Sequence, residues 1–268
     1  MNGRIIVVTH KKYDMPEESI YFPVCVGKGI STLRNKYQPD DIGENISEKN
    51  NTYCELTAIY WVWKNLNLDD FDYIGIAHYR RHFSMKKNAR RLDDVLKKDE
   101  VETIFKRMNS EVIITTPKRR YFSSIENHYI HSKKGYDKQH KTDIENLRRA
   151  TKEISPEYES DLNYVLKGNK AHMLNMFIMP TKLFSDYCTW LFPIINRIVE
   201  LSEGRVNQNR YAGALSEFLL DVWLIHNNMK VIELQLLETE KVSFLNKVIG
   251  VMKRKFKVKS NQVGDNKK

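Results

Sequence analysis

The sequence predicts an α/β protein: a mixed, mostly parallel sheet flanked by helices, built as a single domain. Short β-branched runs alternate with amphipathic stretches at helical spacing through most of the chain. No internal repeat and no Gly/Ser-rich linker divides it. Its 268 residues, 41% of them hydrophobic, are enough to enclose one large core.

The elements follow in order. Residues 5–9 form a β-branched run closed by His10, Lys11 and Lys12, a buried strand. A second strand fits 20–26 and is broken by Gly27-Lys28-Gly29. Residues 39–48 are polar and loop-like. Thr52 and Glu55 stand at capping-box spacing, which predicts a helix whose core stripe is Leu56, Ile59, Tyr60, Trp63 and Leu66. An acidic turn at 69–72 leads to Tyr73-Ile74-Gly75-Ile76-Ala77, apolar throughout and expected as a central parallel strand covered on both faces.

Helices are expected at 92–108, 123–132 and 137–153, with a strand at 111–115 closed by Pro117. Ser155-Pro156 starts a further helix and Gly168 stops it. A strand at 173–179 precedes a long helix over 181–201, disturbed at Pro193. A helix over 211–226 and a late strand over 231–237 complete the domain, 1–240.

Residues 241–268 form an appendage. Phe244, Leu245, Val248, Ile249, Met252 and Phe256 share one side of a helical projection, among Lys247, Lys253, Arg254, Lys255 and Lys257. A basic amphipathic helix of this kind suits an anionic membrane surface; docking on the domain is the other reading.

No apolar run reaches the ~18 residues that span a bilayer, and residues 1–12 lack a secretory pattern, so the expected location is cytoplasmic. Three distant cysteines, Cys25, Cys54 and Cys188, are expected as free buried thiols. The formal charge of +10 favours an anionic ligand. The basic clusters do not interleave with aromatics as in nucleic-acid-binding modules, so nucleic acid is not the expected partner. P-loop, dinucleotide and hydrolase motifs are absent from the sequence.

In open α/β sheets ligands gather outside the carboxyl ends of strands. Three such ends carry cations: Thr9-His10-Lys11-Lys12, His78-Tyr79-Arg80-Arg81 and Lys118-Arg119-Arg120. They read as a diphosphate site, or singly as solvated loops. Asp70-Phe71-Asp72 matches a metal-binding D-x-D but precedes its strand, which puts it at the wrong end; a divalent metal, Mg or Mn, therefore has no well-placed ligand pair, and fixed cations replace it or assist it. The loop from Asp41 through Asn45 to Lys49 and Asn50 offers hydrogen bonds to a sugar, or is an ordinary surface loop. Asn175 is one amide in an apolar strand, for substrate or for backbone. Arg210 and Glu217 lie two helical turns apart on one side, with Glu217 either a general base or an exposed carboxylate.

These segments, with Gly43-Glu44-Asn45-Ile46-Ser47-Glu48-Lys49-Asn50, Tyr53-Cys54-Glu55-Leu56-Thr57-Ala58, His78-Tyr79-Arg80-Arg81-His82-Phe83, Asn175-Met176-Phe177-Ile178-Met179 and Tyr187-Cys188-Thr189-Trp190-Leu191-Phe192, resemble a bacterial family of capsular and exopolysaccharide biosynthesis proteins across about residues 4–236. The resemblance implies a GT-A-like glycosyltransferase that adds a hexose, often galactose, from a nucleotide-sugar to a lipid-linked oligosaccharide at the inner membrane face. It implies that Thr9, His10 and Lys11 border the nucleotide. The loop bearing Asp41, Asn45, Lys49 and Asn50 would face the donor sugar, with His78, Tyr79 and Asn175 also on the donor side. Arg80 and Arg81 would face the diphosphate, and Arg210 and Glu217 the acceptor. A non-catalytic nucleic-acid-binding protein and a sugar-phosphate transferase are the competing functions.

Overall fold

The computed structural model describes residues 1–109, 111–202 and 210–240. Its strands are β1 (Gly3–Thr9), β2 (Tyr21–Cys25), β3 (Gln38–Pro39), β4 (Tyr73–His78), β5 (Arg81–Ser84), β6 (Val112–Thr115), β7 (Arg119–Arg120), β8 (Lys170–Ala171), β9 (Phe177–Pro180), β10 (Lys230–Glu233) and β11 (Gln235–Glu238). Its helices are α1 (Ile30–Leu33), α2 (Asn50–Tyr53), α3 (Leu56–Asn65), α4 (Lys98–Arg107), α5 (Ile125–Ile130), α6 (Asp137–Ile154), α7 (Glu159–Lys167), α8 (Thr181–Leu201) and α9 (Tyr211–His226).

The main sheet runs β10-β6-β9-β4-β1-β2-β3. β1 is parallel to β2 and β4, β2 to β3, and β6 to β10. β9 runs antiparallel between β4 and β6. Its amino end therefore lies beside the carboxyl ends of its neighbours, at the ligand edge.

Period two explains the layering. Ile6 and Val8 of β1, with Ile74 and Ile76 of β4, enter the core shared with α3, α6, α8 and α9. Ile5 and Val7, with Tyr73 and Ala77, enter the opposite core, which α4 covers. A strand with both faces buried must be apolar at every position, which is why these two lack the usual polar alternation. At Gly75 a Cβ would come within 2.9 Å of Ile178 and 3.1 Å of Ile5, so the middle of the sheet has no room for a side chain.

Several elements depart from the sequence expectation. Cys54 (φ 56°) splits the helix expected from residue 52 into α2 and α3. The capping box does not form: Glu55 stands at the N-cap of α3 without a cap bond, and the Thr52 hydroxyl is buried and unpaired. The helix expected over 92–108 is a 3-10 turn, Leu92–Asp94, followed by α4, where the Lys97 N–H donates to Glu100 at 2.8 Å. The strand expected from 173 starts at Phe177. The late strand divides at Leu234 into β10 beside β6 and β11 beside β5. Residues 78–81 are a tight turn: His78 pairs with Arg81, and the chain returns as β5.

A buried polar staple holds the two-stranded ribbon β7–β8 to α9. His172 donates its backbone N–H to Asp221 at 2.7 Å, and its Nδ1 lies 2.8 Å from the same carboxylate. Lys118 Nζ adds a contact at 3.1 Å. Burial opposes ionisation of Asp221, but His172 and Lys118 outweigh it and hold the carboxyl below its usual range.

None of the described helices is long and apolar enough to cross a membrane. The basic amphipathic helix expected over 241–268 lies outside the described residues.

Candidate active site

The carboxyl ends of β1, β2 and β4 surround a cleft of about 370 Å³, closed on the far side by the loop before β9 and by α9. One wall is cationic. The buried ring of Tyr79, whose N–H donates to the Val8 carbonyl at 3.1 Å, organises it. His10 packs edge-on against that ring at 5.2 Å; the Lys11 ammonium and the Arg80 guanidinium lie 5.1 and 5.6 Å from its centroid. The Thr9 hydroxyl donates to the Lys11 carbonyl at 2.6 Å and fixes the turn leaving β1. Lys28 arrives from the next loop, which packs so closely that a Cβ on Gly29 would meet the His10 backbone at 2.6 Å. Burial first, then the charges of Lys11, Arg210 and Arg80, hold the His10 pKa below its ordinary value.

Carboxylates already touch this wall. Glu240 bridges Arg80 Nη1 at 2.8 Å and Lys11 Nζ at 3.3 Å, and Glu238 lies 3.6 Å from Arg81. Both follow from β11, which carries the chain back across β5 to the mouth of the cleft.

The opposite wall is acidic. Arg210 (φ 54°) caps α9; its N–H donates to the Asn51 carbonyl at 3.2 Å and its Nε to Cys54 Sγ at 3.1 Å. Two turns on, Glu217 is half-buried at the cleft floor. Burial, then the charge of Glu55, pushes its pKa up to about 8, against the Leu174 N–H, Arg81 and Arg119. His78 Nε2 donates to the Leu174 carbonyl at 2.6 Å, which fixes its tautomer; burial holds its pKa down although Glu55 opposes this.

Of the residues singled out in the sequence, Thr9, His10, Asn50, His78, Tyr79, Arg80, Arg81, Arg210 and Glu217 line the cleft. Lys11 stands at its rim through Glu240. Asn175 is buried behind the wall, where it donates to Glu55 and Ser216. Asp41, Asn45 and Lys49 are not brought in. Asp41 pairs with Arg34, Asn45 accepts the Ser47 N–H at 3.2 Å in an Asx turn, and Lys49 lies over the Tyr53 ring. The loop's contacts are mostly its own, although Asp40 Oδ2 and Asp41 Oδ1 are buried without a hydrogen bond among the described residues; its buried acid is the neighbouring Asp40, which accepts from Ser47 at 2.6 Å. The third basic cluster is likewise diverted: Lys118 into the Asp221 staple, Arg119 and Arg120 into the ribbon. Asp70 and Asp72 sit at the opposite edge, where Asp72 accepts the Asn2 N–H at 2.6 Å.

Sequence reasoning missed Lys28, Asn51, Cys54 and Glu55, which also line the cleft. For Lys28 the flanking glycines were the available signal. Nothing in the sequence marks the turn at Cys54 that redirects Glu55.

Among the described residues no group of three or more His, Cys, Asp or Glu is arranged to hold a metal ion. The carboxyl end of β4 offers a histidine and two arginines, a donor set that repels a divalent cation and suits a diphosphate.

This sheet order, with a cation-lined cleft at its carboxyl edge, defines a GT-A-like α/β fold. Residues 4–228 match the family described as Domain of unknown function (DUF4422), and the chain belongs to that family. Among solved structures it is similar to the apo structure of the bifunctional glycosyltransferase WbbM, with a TM-score of 0.73 and 28% identity over 90% of this chain and 46% of that one. The chain thus spans about half the length of that protein. No curated protein matches it.

Proposed function

We propose that the protein is a hexosyltransferase. It moves a hexose, galactose in pyranose or furanose form, from a UDP-linked donor to a lipid-linked, undecaprenyl-type oligosaccharide during capsule, exopolysaccharide or O-antigen synthesis. The observation that supports this most is the juxtaposition of fixed cations at the ends of β1 and β4 with a proton-retaining Glu217 across the cleft. The similarity to a glycosyltransferase structure supports it independently.

On this reading the donor diphosphate lies against Arg80, Arg81, Lys28 and His10. Glu217, once ionised, takes the proton of the acceptor hydroxyl. That oxygen attacks the anomeric carbon while the bond to the diphosphate oxygen breaks. The electron pair leaves with the nucleoside diphosphate, whose growing charge the arginines neutralise. Direct displacement inverts the anomeric centre. The protein would work at the inner membrane face, with residues 241–268 as its anionic-lipid contact and residues 1–240 as the catalytic unit.

A panel of nucleotide-sugars, scored for transfer to a synthetic lipid-pyrophosphate glycan with and without a chelator, tests the proposal. Transfer from one UDP-hexose that persists in the chelator is the expected result. Absence of turnover with every donor, together with steeply salt-dependent binding of random oligonucleotides, would sink it in favour of a nucleic-acid-binding role.

A further inference from the structure

Seven non-glycine residues among those described have a left-handed backbone. Four are asparagines, the residue that tolerates it best. The other three, Cys54 (φ 56°), Leu174 (φ 79°) and Arg210 (φ 54°), all line the cleft. Backbone strain gathered at one place points to function. All three surround Glu55. Cys54 precedes it and turns its side chain out of the helix cap. Leu174 precedes Asn175, whose Nδ2 donates to Glu55 Oε1 at 2.7 Å. Arg210 holds Cys54 in place through the Nε–Sγ hydrogen bond.

The brace reaches further. Asn175 also donates to Ser216 Oγ at 2.8 Å, and Ser216 donates to the Gly213 carbonyl at 2.7 Å, so α9 is tied to the same carboxylate. Glu55 is only 8% exposed, yet it lines the cleft. One of its oxygens is fixed by Asn175. Among the described residues no hydrogen bond engages Oε2, and no Lys, Arg or His forms an ion pair with the carboxylate. The oxygen not held by Asn175 opens onto the cleft, where it is free to accept a hydrogen bond from a group bound there.

We propose that Glu55 is a substrate-binding residue whose free oxygen accepts a hydrogen bond from one hydroxyl of the transferred sugar. This rests on the hexosyl-transfer reading and assigns that site one point of sugar recognition. A carboxylate in a closed site discriminates strongly against a sugar lacking the matching hydroxyl, because its oxygen is then left dry and unpaired.

The test uses Glu55→Gln with a set of monodeoxy donors. The glutamine carbonyl still accepts from Asn175, but an amide replaces the charged acceptor in the cleft. With the intact donor, kcat/KM is expected to fall by about 10- to 100-fold. Binding of the free nucleoside diphosphate should stay within about twofold, because that moiety lies on the cation wall. One deoxy donor should lose a similar factor with the unmodified protein and little more with the variant. Undiminished kcat/KM in Glu55→Gln, or losses that simply add for every deoxy donor, overturns the proposal and leaves hexosyl transfer standing. If the unmodified protein turns over no nucleotide-sugar, both readings fail together. Should Glu55→Gln not fold, Glu55→Asp, which withdraws the charge by one methylene, is read against the same donors with the same two outcomes.

Discussion

Arg80 and Glu217, two of the side chains to which the proposed chemistry falls, make distinct predictions. The Arg80 side chain is partly exposed, and its one salt bridge among the described residues is to Glu240, so it adds little to stability. Arg80→Ala should therefore cut transfer by at least about 100-fold while the thermal midpoint moves by no more than about 2 °C. A turnover number near that of the unmodified protein, measured with saturating donor, would remove Arg80 from the diphosphate site. Glu217 behaves differently because its pKa is raised to about 8. On the proposed reading Glu217 works as a base only when ionised, so kcat/KM should rise with pH through about 8 in the free protein. The folded protein holds a proton there that the unfolded chain releases near the ordinary carboxyl value. Stability associated with Glu217 is thus present at low pH and is lost as pH rises towards 8. Glu217→Gln should abolish the pH-dependent limb and slow transfer by about 10²- to 10⁴-fold. At pH 8.5 it should also raise the thermal midpoint by about 2–6 °C. A lower midpoint in scanning calorimetry would show that the carboxylate is not held against its preference.

At the scale of elements, the site depends on how closely α9 approaches the α2–α3 junction. A Cβ on Gly213 would meet Cys54 Cβ and Sγ at 2.9 Å and the Tyr53 carbonyl at 3.0 Å. Gly213→Val should separate the two elements and cost about 1–3 kcal/mol of stability, measured by denaturant unfolding. A neutral result would mean that the junction relaxes freely. The same contact explains what the sequence disclosed and what it hid. Strands β1 and β4 were legible because burial on both faces leaves an uninterrupted apolar run. Helix α8 was legible because one apolar stripe packs on β4 and β9, α6 because it is a long, highly charged stretch that packs on other helices, and α9 because it is apolar, being buried almost all round. The turn at Cys54 was not, since it is imposed by Arg210 and Gly213 from more than 150 residues away. Nor was the role of Glu55, whose spacing from Thr52 imitates a capping box while its partner is Asn175. The loop holding Asp41 and Asn45 looked like a ligand loop for a similar reason: polar side chains that satisfy their own backbone have the same composition as side chains awaiting a sugar.

For the molecule as a whole, the antiparallel β9 brings the two walls together. The cations of one wall come from the ends of strands laid down before residue 82; across from them Glu217 lies on α9, and Glu55 is gripped by Asn175 from just before β9. The last described segment, β11 and the residues after it, then places Glu240 on the cation wall. Glu240→Ala should lower the donor KM by about 3- to 10-fold, and an unchanged value in steady-state assays would show that the carboxylate does not compete for that wall. The bridge also bears on ionic strength. A chain with a formal charge of +10 would ordinarily bind a polyanion with a steep dependence on salt. Here Lys11 and Arg80 are neutralised in advance, so donor binding exchanges one anion for another and releases fewer counterions. The slope of log Kd against log salt should be shallow in the unmodified protein and steeper once Glu240 is removed, leaving this protein less sensitive to the ionic conditions of its surroundings than its charge suggests.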